Sequence, residues 1–208
     1  ARRGASDLLG RLDTLAEAEA ARIAPSLRNR GIDPAAARQA AKVRDDLIRL
    51  GARLAKSERR RAEPEEADRE ETLLQLLILA YPDRVVRRRG AEETGVMVGG
   101  RGVRLAPESV VREGELFLAL DPREERRRGT LELRVSIASE ARLEWLEELV
   151  PQSIRRARLT RYDVDRERVV AVNQLWHEDL LLREDPAPPA DAREASTALF
   201  EALRPRAA

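Results

Sequence analysis

The chain has 208 residues, of which 42% are hydrophobic, so it can form one larger domain or two small ones with a core. Its 39 lysine and arginine residues against 38 aspartate and glutamate residues give a formal net charge of +1. This balance argues against a wholly basic protein that coats nucleic acid, but it leaves room for local basic patches.

The residue types that are missing or rare restrict the class of protein further. Cysteine is absent, which excludes disulfides and thiolate metal sites and is consistent with a cytoplasmic location. No apolar run approaches the ~20 residues of a membrane span, so we expect no membrane partner. Lysine occurs only at Lys42 and Lys56, so nearly all positive charge is arginine, the better group for contacts with phosphate. Because the only methionine is Met97, we expect the chain to be a piece of a longer protein.

The first third of the chain has helical periodicity. Ser6 can cap a first helix that Pro25 kinks or breaks, and Gly31 lies just past its end. Asp33 and Pro34 then form a start signal for a second helix. Its apolar residues alternate steps of four and three, as expected for one helix face: Ala36, Ala40, Val43, Leu47, Leu50 and Leu54. The pattern predicts an antiparallel helical pair.

A charged segment without an apolar period, residues 56–71, is predicted to be an exposed linker. It precedes "TLLQLLILAY", residues 72–81, which is nearly all apolar and which we expect to form a helix buried on most sides. Pro82 ends this helix. These observations predict a helical bundle over residues 1–81.

From Arg84 onward the segments are short, rich in β-forming residues and separated by glycine, proline or charged turns. "DVDRERV" is typical of a hairpin turn near Asp165 and Arg166, and "SEARLEWLEELV" predicts one short helix capped by Ser139. Five or more antiparallel strands with one helix are typical of a small OB-like β-barrel, here residues 82–184. The fold class is therefore predicted as α+β. Residues 185–208 are interpreted as a proline-rich linker and the start of a further domain.

The glycine-rich stretch after the first basic run does not match a nucleotide-binding loop. Gly90 and Gly95 have the spacing of the first half of a P-loop, G-x-x-x-x-G-K-[ST]. That motif needs a lysine for the outer phosphates and a hydroxyl for magnesium. Val96 and Met97 occupy these two positions, so we exclude a P-loop.

The motifs on either side of this stretch resemble the C-terminal region of bacterial DEAH-box ATP-dependent helicases of the HrpB kind. The resemblance depends most on "YPDR", residues 81–84, and on "RGVRL", residues 101–105, which follow the order of elements in that family. It implies a ratchet-like helical domain before an OB-like barrel. One departure is Gly99-Gly100, where the family usually has an asparagine.

The resemblance implies a parent protein that hydrolyses ATP with magnesium. This chain has no Walker lysine and no Asp-Glu-Ala-His box, so we predict that it is inactive as an ATPase by itself and holds no cofactor. The implied function is accessory: the region would guide single-stranded RNA or DNA while motor domains of the same parent chain hydrolyse ATP. The expected partners are the single strand and those motor domains.

Arginines that could contact phosphates fall in two segments. Six arginines against two glutamates occupy residues 84–104, and a second group lies in "RRARLTRY", residues 155–162. Phosphate contacts of this kind give salt-sensitive affinity without base specificity. Glycines between the strands can let the protein backbone come close to a nucleic acid, or these glycines can simply form a turn. The predicted nucleic-acid-binding residues are Arg84, Arg87, Arg88, Arg89, Arg101, Gly102, Arg104, Arg156 and Arg158.

The sequence gives few signs of base-stacking, metal-binding or catalytic residues. Tyr162 and Trp176 are the candidate base-stacking residues, although core packing is the stronger interpretation for Trp176. Phe117 and Trp145 occupy apolar positions and are predicted to be core residues. His177 is the only histidine, and without cysteines it makes a poor zinc site, so we expect a surface or partly buried residue. No activated nucleophile is recognisable, and a free-standing enzyme is the weakest hypothesis.

An alternative function from a different class is a protein-interaction or scaffold module that binds no nucleic acid. In that case the arginines would pair with acidic partners or with glutamates of the chain itself. A continuous positive groove would favour nucleic acid, whereas interspersed Arg–Glu pairs with an apolar patch would favour a protein partner.

Overall fold

The computed structural model describes residues 4–54, 66–90, 93–127, 129–188 and 191–204. Three α-helices precede the first strand, and the predicted α+β class is confirmed. The α-helices are α1 (Asp7–Ala20), α2 (Pro34–Leu54), α3 (Glu66–Ala80), α4 (Leu143–Leu149) and α5 (Ala192–Leu203). Short 3-10 helices lie at Pro25–Arg30, Pro82–Arg84 and Pro151–Ser153. None of the described helices is both long enough and apolar enough to cross a membrane.

The strands form two sheets. A curled, half-barrel sheet of seven strands has the order β5-β6-β3-β2-β1-β4-β7, and a three-stranded sheet has the order β10-β9-β8. The strands are β1 (Val85–Arg88), β2 (Thr94–Met97), β3 (Arg101–Leu105), β4 (Leu116–Ala119), β5 (Pro122–Arg127), β6 (Thr130–Val135), β7 (Ala138–Ala141), β8 (Ile154–Asp163), β9 (Arg168–His177) and β10 (Leu180–Ala187).

The pairing departs from the purely antiparallel barrel that the sequence predicts. β3 pairs with β6 in parallel, and every other named strand pair is antiparallel. The predicted β8–β9 hairpin is confirmed, with Asp163 opposite Arg168 at its turn. This local pairing follows from the turn residues, whereas the β3–β6 pairing joins segments that are distant in the sequence.

The N-terminal helices form a small core of their own. Ala18, Leu27 and Ala37 are buried together between α1, the first 3-10 helix and α2. The predicted cap at Ser6 is confirmed, since its hydroxyl accepts the Leu8 N–H at 3.0 Å. The predicted stop at Gly31 is also confirmed by its left-handed φ of 75°. α1 itself ends at Ala20, before Pro25.

The apolar stripe of α2 is not buried, contrary to what its periodicity suggests. Val43, Leu47 and Leu50 are exposed, with 62% of the Leu47 surface accessible. Only the first turns of α2 reach the small N-terminal core, through Ala37. The start signal at Asp33 is confirmed, because its carboxylate accepts the Ala35 N–H at 2.9 Å.

The third helix begins earlier than predicted and is less buried. α3 starts at Glu66, so the end of the predicted linker is helical, and residues 56–65 of that linker lie outside the described residues. Leu74 and Ile78 enter the main core, whereas 54% of Leu76 and 48% of Leu79 remain exposed. The expectation of a helix buried on most sides is therefore wrong, because only one face meets α4 and β7.

Two apolar clusters occupy the two faces of the seven-stranded sheet. One joins Val85, Leu116 and Leu118 to α3, α4 and β10. The other is enclosed by the curl of the sheet and contains Val86 and Phe117. Adjacent residues of β1 enter different clusters because side chains alternate between the faces of a strand. The predictions that Phe117 and Trp145 are core residues are confirmed, at 0% and 5% exposure.

The cap predicted at Ser139 is wrong. Ser139 lies in β7, is fully buried, and its hydroxyl is 2.6 Å from the hydroxyl of Ser6. α4 begins four residues later, at Leu143, because "ASEA" pairs with β4 instead of starting a helix. At the other end of the chain, β10 extends to Ala187, into the stretch predicted as a linker, and α5 packs against β8.

Candidate nucleic-acid interface

Two of the predicted site arginines contact backbone carbonyls and aromatic rings of the chain itself. The Arg84 guanidinium donates to the Leu120 carbonyl at 3.0 Å and lies over the Tyr81 ring. The Arg88 guanidinium lies over the Phe117 ring, 5.1 Å from its centre. Arg88 also donates to the carbonyls of the loop that precedes β4, including Gly114 at 3.0 Å and Val111 at 3.3 Å. Burial lowers the pKa of Arg88, and the like charge of Arg112 lowers it further against the opposing effect of Glu93.

Three of the predicted arginines lie on one face of the seven-stranded sheet. Arg87 is opposite Val96, the Arg89 N–H donates to the Thr94 carbonyl, and Thr94 is opposite Arg104. Because alternate residues of a strand share a face, the side chains of Arg87, Arg89 and Arg104 are on the same side. We call these three residues the arginine face.

The three arginines of the arginine face differ in whether their side chains form ion pairs with described residues. The Arg104 guanidinium lies 3.3 Å from a Glu132 carboxylate oxygen. Within the described part of the chain, Arg87 and Arg89 have no side-chain hydrogen bond or ion pair; Arg87 is half-buried and Arg89 is exposed. Two cations on this face are therefore not held by an ion pair with another described residue.

The remaining residues of the glycine-arginine element are divided between the two sides. Arg101 is opposite Met97, so it is on the other side of the sheet from Arg104, and it forms an ion pair with Glu124 at 2.6 Å. Gly102 is opposite Val96, in the row of Arg87. A Cβ added at Gly102 would meet nothing within 4 Å, so the backbone is open to close approach at this point.

Arg156 and Arg158 are in the second sheet, away from the arginine face. Arg156 forms an ion pair with Glu147 of α4. Arg158 pairs with Glu194 of α5 at 3.4 Å and donates to the Pro188 carbonyl. In the structure these two arginines therefore contact neighbouring helices and do not belong to the arginine face.

The β2–β3 turn is formed by glycines with left-handed backbones. Gly99 and Gly100 have φ values of 84° and 70°, which non-glycine residues rarely adopt. The Gly99 N–H donates to the Asp179 carboxylate at 2.9 Å, so the turn is tied to the β9–β10 hairpin. In the preceding strand, Val96 is half-buried and Met97 is buried, so these positions do not fit a triphosphate with magnesium.

Beside this turn is an open cleft that the sequence does not predict. It has a volume of about 690 Å³, and its wall contains the half-buried Trp176. The Arg155 guanidinium lies over the Trp176 ring, 5.1 Å from its centre, because the two residues are opposite each other in β8 and β9. The alternation within "RRARLTRY" and "NQLWH" is the only sequence signal for this pair.

His177 is fully buried, not on the surface or partly buried as predicted. Its Nε2 donates to the Pro82 carbonyl at 2.8 Å, whereas its Nδ1 has no partner in the described structure. The residues beside it, Glu178 and Asp179, are exposed in the hairpin turn. Among the described residues, no group of three or more histidine, cysteine, aspartate or glutamate side chains could hold a metal ion.

Comparisons with known proteins give matches among solved structures alone. No protein-family profile and no curated protein sequence matches the chain. The matching solved structures include two at a probability of 1.00. Both are Escherichia coli HrpB. One, described as a DExH-box NTPase, covers 64% of this chain at 20% identity with a TM-score of 0.48. The other, described as a DEAH/RHA helicase, covers the same share at 19% identity with a TM-score of 0.47.

The matched region is a small part of these larger proteins. It covers 16% of each HrpB chain. The kind of helicase that the sequence motifs resemble is also the one named in these two matches.

Proposed function

We propose that this chain is an accessory nucleic-acid-binding region of an ATP-dependent helicase, and that the arginine face contacts the backbone of a single strand. The observation that carries the proposal is the position of Arg87, Arg89 and Arg104 on one side of a sheet, with no ion pair between Arg87 or Arg89 and another described residue. Guanidinium groups in this arrangement suit contacts with successive phosphates, which position a strand without reading its bases.

The geometry divides the predicted binding residues by their role. Arg87 and Arg89 bind phosphate directly, and Arg104 joins them after exchanging its contact with Glu132 for a phosphate. Gly102 leaves the backbone open between them. Arg84 and Arg88 hold the β1 strand in place through carbonyl and ring contacts. In this proposal the curled seven-stranded sheet is the OB-like unit.

The motif resemblance supports the wider context. In the parent protein, motor domains outside this chain would bind ATP and magnesium and move the strand, and this region would guide it. The partners would be single-stranded RNA or DNA and those motor domains, in the cytoplasm. Because the sequence has no Walker lysine and no Asp-Glu-Ala-His box, we assign ATP hydrolysis to the parent protein alone.

A binding titration at several salt concentrations tests the proposal. Fluorescence anisotropy with a labelled single-stranded oligonucleotide should show weaker binding and a shallower salt dependence for Arg87→Glu/Arg89→Glu, because fewer counterions are released. The matched control is Arg126→Glu/Arg193→Glu, which changes the net charge equally at two exposed positions away from the arginine face. Equal losses in both variants, or none in either, would contradict the assignment.

A second candidate function is a protein-interaction module. It is favoured by the many Arg–Glu pairs on the surface, such as Arg101–Glu124 and Arg156–Glu147, and by the exposed apolar stripe of α2. These features concern other parts of the surface than the arginine face. The two functions are separated by whether the unmodified chain binds an oligonucleotide, because the interaction module would bind no nucleic acid.

A further inference from the structure

The cleft beside the β2–β3 turn has an apolar wall with a polar rim. Pro82, Val98 and Trp176 line it, and Trp176 is the one aromatic residue in that lining. An indole ring in the wall of a cleft favours a flat, polarisable ligand, because stacking gives a large contact area at a small cost in conformational entropy. A nucleobase has this shape.

The Trp176 ring already has a cation–π contact within the chain. The Arg155 guanidinium lies over it at 5.1 Å, and the Trp176 Nε1–H is held by the Gln174 side-chain oxygen at 3.2 Å. Both contacts fix the orientation of the indole ring. Bases stack on aromatic rings and on guanidinium planes alike, so the Arg155–Trp176 pair forms a preorganised platform.

The charges on the rim decide which part of a nucleotide can enter. Asp83 and Glu178 are exposed carboxylates on the rim, and Asp179 is already bonded to the Gly99 N–H. These carboxylates repel a phosphate but accept hydrogen bonds from an exocyclic amino group, as acidic side chains do from cytosine N4. Arg155 is the only cation of the rim and can face the backbone outside.

The cleft continues the arginine face along the same strand. Thr94, Val96 and Val98 alternate on one side of β2 and its extension, so the path runs from Arg104 past Gly102 to the cleft. Four residues of a strand span roughly 13 Å. A single strand whose phosphates contact Arg87, Arg89 and Arg104 can therefore place a nearby base in the cleft.

From this arrangement we infer that the cleft is a base-binding subsite that accepts one nucleobase carrying an exocyclic amino group and disfavours uracil or thymine. The inference rests on the proposed function, since the arginine face supplies the backbone contacts. It adds a preference for base chemistry that contacts with phosphates alone cannot give.

Anisotropy titrations with the 12-nucleotide RNAs oligo(C) and oligo(U) test the subsite. The unmodified chain should bind oligo(C) more tightly. Trp176→Leu should weaken oligo(C) binding about 5- to 100-fold, as expected for the loss of one base stack. Asp83→Asn/Glu178→Gln changes only exposed side chains and should reduce the ratio of oligo(C) to oligo(U) affinity, because the charged acceptors that favour cytosine are lost while the repulsion of phosphate falls equally for both RNAs.

The outcomes separate this inference from the proposed function. If Arg87→Glu/Arg89→Glu weakens binding but neither cleft variant changes it, the subsite is disproved and the proposed function stands. If the unmodified chain binds neither RNA, both fail. Tryptophan fluorescence that responds to a hepta-arginine peptide and not to RNA would instead identify the cleft as a docking site for a basic protein segment, and it would overturn the inference.

Discussion

The His177 imidazole joins the two sheets by donating its Nε2 hydrogen to the Pro82 carbonyl, 2.8 Å away and 95 positions earlier in the chain. His177 ends β9, and Pro82 begins the turn that leads into β1. The contact therefore fixes the start of the arginine-bearing strand against the hairpin that carries Trp176. A residue that looked like a surface histidine in the sequence is a buried structural link.

Removing this donor should destabilise the fold. His177→Leu has a similar side-chain volume but leaves the Pro82 carbonyl without its partner, and we expect a loss of about 1–3 kcal/mol in the free energy of unfolding. His177→Gln retains an amide donor at a similar distance from the backbone and should lose less. Urea denaturation followed by circular dichroism measures both, and an equal loss would show that the hydrogen bond is not the cause.

Local features of this fold were predictable from the sequence, and distant pairings were not. The helix starts at Ser6 and Asp33 and the β8–β9 hairpin depend on residues a few positions apart, so their signals are complete within a short window. The parallel β3–β6 pair depends on tertiary contacts. No periodicity in either segment indicates which strand will be its neighbour.

The same limit applies to the candidate site. The sequence identifies the arginine-rich segments, but the acidic partners of Arg101, Arg104 and Arg158 lie 23, 28 and 36 positions away. Sequence separations of this size are too long for a sequence pattern to reveal which arginines form ion pairs. Strand alternation could have separated Arg101 from Arg104, since an odd number of steps between two strand residues places them on opposite faces.

That separation predicts different effects for two neighbouring arginines. Arg104→Glu should weaken single-strand binding and reduce its salt dependence, because Arg104 shares a face with Arg87 and Arg89. Arg101→Glu breaks its ion pair with Glu124 on the other side and should leave the affinity nearly unchanged. Anisotropy titrations between low and moderate salt compare the two variants, and a larger loss for Arg101→Glu would disprove the assignment of the binding face.

Arg88 should matter for stability and not for binding. Arg88→Met removes donors to several carbonyls and the contact with the Phe117 ring, so we expect the free energy of unfolding to fall by about 1–3 kcal/mol. The adjacent Arg89→Met is the matched control and should leave stability within about 0.5 kcal/mol. Thermal unfolding of the two variants distinguishes them, and similar midpoints would contradict the structural role.

Glycines of the β2 and β3 strands should respond in opposite ways to an added methyl group. A Cβ at Gly95 would lie 2.6 Å from Val86 Cγ1 and 2.7 Å from the Arg87 carbonyl oxygen. Both distances are shorter than a normal van der Waals contact. Gly95→Ala should therefore cost about 1–3 kcal/mol of stability through overpacking. Gly102→Ala meets nothing within 4 Å and should fold normally. A stable Gly95→Ala variant would show that β1 and β2 can move apart.

The carboxylate of Asp7 connects the first helix to the seven-stranded sheet, and it should be among the most important polar groups for stability. It accepts hydrogen bonds from the Ser109 hydroxyl at 2.7 Å and from the backbone N–H groups of Val110 at 2.8 Å and Ala138 at 2.9 Å. Asp7→Ala leaves these donors without an acceptor in a partly buried position. Since hydrogen bonds to a charged group contribute about 1.5–3 kcal/mol each, we expect a loss of at least that size.

A second aspartate of the same helix is the control for Asp7. Asp13→Ala removes a carboxylate from an exposed position of α1 and should change the free energy of unfolding by less than about 0.5 kcal/mol. Chemical denaturation gives the free energies, and hydrogen exchange at the Val110 and Ala138 amides shows whether the loss is local to the contact. Unchanged protection of both amides in Asp7→Ala would contradict the connection, because these two N–H groups depend on the Asp7 carboxylate as their acceptor.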